Sequence, residues 1–147
     1  MAITTNAICN TFKEEILEGV HDFTPTTGDV FKLALYTNSA TIGADTTAYP
    51  GDSTGGQVSD TGQYTQGGGA LTNALVSTDG TTAFVDFNDI SFTGVTLTAR
   101  GALIYNTSNS DKAVAVLDFG GDKTATAGTF TVQFPAATNT QAIIRIS

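Results

Sequence analysis

The stretch DVFKLALYT (29–37) marks the point where the hydrophobic period of this chain changes from that of a helix to that of a strand. Phe31, Leu33 and Leu35 alternate with Lys32 and Ala34, a spacing that lines one face of a β-strand with apolar side chains. Toward the C-terminus similar short runs recur at 70–77, 81–87, 90–98, 101–106, 112–119, 128–134 and 141–146, about eight strands in all. Asp79-Gly80 lies between two of them, and both residue types tolerate the positive φ of a tight hairpin turn. No second helical pattern separates these runs. The expectation is a mainly β fold, an antiparallel β-sandwich or jelly roll, in a single domain over residues 1–147.

Toward the N-terminus the period is helical. Ile8, Cys9, Phe12, Ile16, Leu17 and Val20 form one apolar stripe, so an amphipathic helix is expected over about residues 5–20. Thr4, Thr5 or Asn6 would cap it, Gly19 would end it, and Glu14, Glu15 and Glu18 fall on its other side. Thr11 and Glu14 have capping-box spacing and allow a later start, but the early start keeps Ile8 and Cys9 in the stripe.

Between 38 and 69 the pattern lapses for longer than a compact domain normally allows. The core of this loop, GDSTGGQVSDTGQYTQGGGA (51–70), has seven glycines and no basic residue. A phosphate cradle needs a helix N-terminus and usually a Lys or Arg, and neither follows here. The segment reads as a glycine-hinged arm ordered by a neighbour. Tyr49 and Tyr64 would be its rigid contact residues and Gln57, Gln63 and Gln66 their hydrogen-bonding companions. In the competing reading both tyrosines pack back on their own domain.

Composition narrows the function classes. Fourteen acidic residues against six basic ones give a formal charge of -8, and no Lys or Arg occurs between Lys32 and Arg100. Such a surface repels phosphate backbones, so nucleic acid is not an expected partner. No stretch is long and apolar enough for a membrane span, and MAITTNAICN lacks the pattern of a signal peptide, so assembly in a reducing cytoplasm is expected. The single cysteine, Cys9, cannot form an internal disulfide. The 27 threonines suit a β surface that is polar without being strongly charged.

Catalytic chemistry has few residues to draw on. His21 is the only histidine, and on one continuous helix it would stand roughly 18 Å from Cys9, too far for proton transfer. Cys9 is expected in the core, and His21 at the helix end where a positive charge suits the dipole. The loop carboxylates Asp45, Asp52 and Asp60, the hairpin carboxylates Asp79, Asp86 and Asp89, and Asp118 and Asp122 around Gly120-Gly121 do not match a calcium-loop pattern and read as solvated turns. Asn106-Thr107-Ser108 reads as a turn. No metal, cofactor or enzymatic activity is expected.

The blocks MAITTNAICNTFKEEILEGVHDF, DVFKLALYT, TARGALIYNTS, KAVAVLDFGGDK and FTVQFPA together resemble a family of small virion structural proteins of tailed bacteriophages. The likeness extends over nearly the whole chain, least distinctly at 45–68, and carries no catalytic signature. It implies a particle component. A decoration or cement protein on the capsid exterior, bridging subunits of the major capsid protein as a homotrimer, is the first expectation; tail-tube, head-tail connector and fibre roles are the alternatives.

Overall fold

The computed structural model describes residues 3–51, 55–72 and 75–147. The strand read first is fully inside the larger sheet. Strand β2 (Phe31–Tyr36) lies between β3 (Gly69–Ala70) and the long strand β6 (Ile90–Asn106), which pairs in turn with β7 (Lys112–Val132). Strand β1 (Ala7–Ile8) completes an antiparallel sheet of order β1-β7-β6-β2-β3. A second antiparallel sheet has the order β4-β5-β8, from Leu75–Asp79, Thr82–Asp86 and Ile144–Ile146. Val85 and Ile144 of that small sheet join the same core cluster as β2, β6 and β7, which gives the expected mainly β, sandwich-like arrangement.

The central strands differ from a half-exposed sheet in one respect. Leu33 to Tyr36, Gly101 to Asn106 and Ala113 to Leu117 are buried at every position. Pairing sets the faces: Phe31 stands opposite Asn106 and Lys32 opposite Tyr105, so these pairs project to opposite sides. On the first side Phe31 stacks on Phe23 at 4.4 Å. On the second, Tyr105 stacks on Tyr49 at 4.4 Å, which brings the long loop over the sheet. Near-continuous apolar runs such as GALIY and AVAVL are the sequence counterpart of a sheet covered on both faces.

Among the described residues there are eight strands, but not the eight expected. The runs at 90–98 and 101–106 are one strand, β6, and those at 112–119 and 128–134 are one strand, β7. Register shifts at Phe92/Val95 and Ala99/Gly101 keep the ladder paired while it bends. The run at 70–77 divides into β3 and β4, and Asn73 and Ala74 lie outside the described residues. The hairpin turn is shifted by one residue: Asp79 pairs with Thr82, leaving Gly80 and Thr81 as its loop, with Gly80 at φ 59°.

Helix α1 covers only Asn10–Leu17, a correction of the early start. Ala7 and Ile8 hydrogen-bond as a strand against Val116 and Ala115, and the Cys9 N–H donates to the Val114 carbonyl. Cys9 is thus buried by strand pairing rather than by a helical stripe. At the other end Gly19 at φ 74° is the expected stop: its N–H reaches the Ile16 carbonyl while the Val20 N–H reaches that of Glu15, the paired bonds of a Schellman motif.

The long loop is folded against its own domain. Its glycines serve close approach: a Cβ on Gly68 would lie 1.7 Å from the Leu33 carbonyl oxygen, and one on Gly62 would lie 2.1 Å from that of Gly94. Both also hold positive φ, 80° and 52°. We expect Gly68→Ala to destabilise the protein by more than about 2 kcal/mol in urea titration, since strain and displaced backbone add. Gly121→Ala, where a Cβ meets open space, should stay within about 0.5 kcal/mol of the parent.

Candidate functional site

The loop residues expected to contact a partner are placed by a backbone requirement. Strand β2 has a second edge, and β3 covers only Lys32 and Leu33 of it. The loop supplies the remainder: the Thr37 N–H donates to the Gly56 carbonyl, the Val58 N–H donates to the Leu35 carbonyl, and the Leu35 N–H donates to the Tyr64 phenol oxygen at 2.8 Å. Farther along, the loop also lines the outer half of β6. The Gln63 N–H donates to the Thr93 carbonyl, the Thr93 N–H to Gln63 Oε1, and the Thr96 N–H to Thr61 Oγ1.

This placement corrects the contact reading for two residues. Tyr64 is 1% exposed, with its ring edge-on to Phe92 at 5.0 Å, and burial pushes its phenol up to about 12. Gln57 is buried, and its Oε1 accepts the Tyr49 hydroxyl at 2.9 Å. Neither faces outward. Tyr49 is half-buried and stacked on Tyr105, whose hydroxyl donates to the Gly67 carbonyl. Gln63 and Gln66 are exposed, although the Gln66 N–H donates to Asp60 Oδ1. The loop is a strap along two sheet edges, so a bridging role cannot rest on its reaching out as an arm. Asp52, one of its carboxylates, lies outside the described residues.

The densest polar chemistry lies at the other end of the sheet, where the β6–β7 turn meets the segment after α1. Asn106 is fully buried, and the His21 side chain is closed off from solvent. Asn106 Oδ1 accepts the Ser108 N–H, while its Nδ2 donates to Asp29 Oδ2 at 2.8 Å, which fixes the amide orientation. Nδ2 also lies 2.9 Å from His21 Nδ1, so that ring nitrogen must be the acceptor. His21 Nε2 then carries the proton and donates to Glu15 Oε2 at 2.8 Å. Lys112 Nζ donates to Glu15 Oε1 at 2.9 Å. Asp29 Oδ2 further accepts the Asp22 N–H and Asn109 Nδ2, and Asn109 also donates to the Val20 carbonyl.

Each connection removes a group from chemistry. Both ring nitrogens of His21 are engaged; the ring joins α1, its own segment and the end of β6. The expectation of His21 at the helix end, its charge facing the dipole, is corrected, because the helix stops at Leu17 and the ring packs against Phe12 at 4.9 Å. Glu15, expected on the solvent side, is buried. Burial raises its carboxyl, but hydrogen bonds from His21 and Lys112 and their charges outweigh this and hold it below the ordinary value. Cys9 is fully buried, and burial, with Glu15 nearby, pushes its thiol up to about 11. Among the described residues no three His, Cys, Asp or Glu side chains converge as metal ligands, and no helix is long and apolar enough to cross a membrane.

A different surface is built on the outer half of the β6–β7 ribbon. Phe92, Val95, Leu97, Phe130 and Val132 point into the core. The opposite face carries hydroxyls: Ser91 bonds Thr131 and Thr98 bonds Thr124, each at 2.8 Å, with exposed Thr96 and Thr129 between these pairs. No family model, curated protein or solved structure matches the chain.

Because the folded-state value of Glu15 lies below its unfolded value of about 4.5, its contribution is present above that pH and lost as the pH falls through the folded value. Urea titrations from pH 7 to pH 3 should show this loss. Glu15→Gln should be less stable at pH 7 by about 1–3 kcal/mol and show a flatter acid limb. Cys9 should not react with a thiol-specific disulfide reagent at pH 8 in the native protein, and should react fully in denaturant.

Proposed function

We propose that this chain is a non-enzymatic structural protein of a tailed-phage virion, a decoration protein that binds the outside of the assembled head and bridges subunits of the major capsid protein. The observation that carries this reading is the hydroxyl face of the β6–β7 ribbon. Its side chains are pre-ordered by cross-strand hydrogen bonds, so little side-chain entropy remains to be lost on contact. It is neutral, and hydroxyls that find partners cost far less to bury than unpaired charges. From Ser91 to Thr98 the face runs roughly 20 Å along the strand, long enough to lie across a seam between two subunits. The net charge of -8 keeps the domain away from packaged nucleic acid and suits an exterior position. The sequence blocks that resemble small virion proteins of tailed phages point to the same class.

Such a protein acts by mass action: it binds the assembled lattice and not free subunits, and so stabilises the shell. Repetition of the site over the head multiplies the effect. The long β6–β7 hairpin does not favour the tail-tube alternative by projecting, because its turn is tied to the body through the Thr107 N–H to the Val30 carbonyl and through Asn109 to Val20.

Purified protein mixed with expanded, undecorated heads should saturate at a fixed ratio to the major capsid protein and raise the temperature at which the shells open. Replacing Thr98 and Thr124 together by Glu should weaken binding at least about tenfold while leaving the circular dichroism spectrum unchanged. Binding to isolated tails alone, or to neither particle, would overturn the decoration role.

A further inference from the structure

Among the described residues several strand edges are blunted or covered: β1 and β3 have two residues each, and the β7 edge is broken at Gly120 and Ala127, with φ 75° and 45°. The strap covers β2 and the outer half of β6. The outer edge of β7 carries Asp122 and Lys123 beside the irregularity at Gly120, and β8 has three residues with Arg145 in the middle. Strand β4, Leu75–Asp79, has five residues and no Lys, Pro or bulge. It is the outer strand of its sheet, and Leu75 and Val76 are 46% and 50% exposed. Open edges of this kind template pairing with another strand.

We infer that β4 pairs with β4 of a second copy of this chain, antiparallel and about a two-fold axis at Ser77, so that two three-stranded sheets join into one of six strands. The hydrogen-bonding phase selects this register. Asp79 and Thr82 close a two-residue hairpin loop and form a hydrogen-bonded pair. Ser77 and Leu75 therefore also point their backbone groups toward β5, and those of Val76 and Thr78 point outward. These two residues are equidistant from Ser77. A two-fold there sets Val76 of one copy opposite Thr78 of the other, makes all four outward N–H and C=O groups partners, and keeps the two faces of the sheet continuous. The charges agree with this register: the only charged residue of β4, Asp79, falls opposite Leu75 of the second copy, so no two carboxylates meet directly. An isologous contact of this kind closes at two copies. It concerns the free protein and does not depend on the virion reading.

Sedimentation velocity on the purified full chain, at concentrations from about 1 to 100 μM, should show a monomer–dimer equilibrium. Thr78→Pro removes an outward N–H without touching the ladder to β5 and should shift the protein to monomer while its melting temperature is retained. Ser77→Cys tests the register directly. The two Ser77 residues form a non-hydrogen-bonded pair with Cα atoms about 4.5 Å apart, within disulfide reach. That variant should cross-link under mild oxidation at least about tenfold faster than Asp79→Cys, whose two copies are offset from each other by four residues along the strands. The inference is overturned by a monomer throughout the range, by a trimer, or by a dimer in which Ser77→Cys cross-links no faster than Asp79→Cys. If Thr78→Pro does not fold, the cross-linking comparison decides alone.

Discussion

The fold depends on how a sheet edge is satisfied inside the protein. Strand β2 is buried on both faces, so its second edge cannot leave N–H and C=O groups unpaired without a desolvation cost of about 1–3 kcal/mol for each group. A regular sixth strand would solve this in the usual way. This chain uses an irregular strap, one isolated bridge between Tyr36 and Gln57, and a phenol oxygen that takes the Leu35 N–H. The glycines follow from that choice, because a strap bonded to β2 at one point and pressed against β6 at another must bring backbone onto backbone where no Cβ fits. Glycine content here measures proximity rather than looseness.

A second constraint holds the opposite end. The turn between β6 and β7 inserts Asn106 beneath the segment that follows α1, and His21 connects Asn106 to Glu15. Each polar atom in this chain has a defined donor or acceptor role, so the network specifies a single arrangement of helix, loop and turn. A histidine placed this way stabilises by geometry, with both ring nitrogens committed to neighbours inside the fold.

Much of this was legible in the sequence, and the failures have particular causes. Period two at DVFKLALYT and the strand runs after it indicated a mainly β antiparallel fold, and Gly19 was found as the helix stop because the Schellman motif has a glycine signature. Helix α1 was read too long because Ile8 and Cys9 satisfy a helical stripe and an edge strand equally well; pairing with β7, which is distant in sequence, decided between them. The strands β6 and β7 were each read as two because bulges at Gly94 and near Arg100 interrupt the alternation without ending the ladder. Tyr64 and Gln57 were expected outside because a glycine-rich stretch with tyrosines has the composition of an arm. Only the open edge of β2 explains why they are inside, and that edge is a property of topology. Glu15, Asp29, Asn106 and Lys112 carried no local signal, since they are brought together from positions up to 97 residues apart. The hydroxyl face was foreshadowed by the threonine count, though its location was not.

The closeness of β6 and β7 in the chain has a kinetic side. Their hairpin needs only the five-residue turn 107–111 to close, whereas β2 must find β6 across more than fifty residues and the strap must then settle on both. Loop-closure entropy places the local event first. The folding chain therefore passes through a state in which a long, threonine-rich, sparsely charged ribbon is formed with one edge bare. That interval is the one in which chains at high concentration would pair wrongly, and it closes when the strap settles on the bare edge.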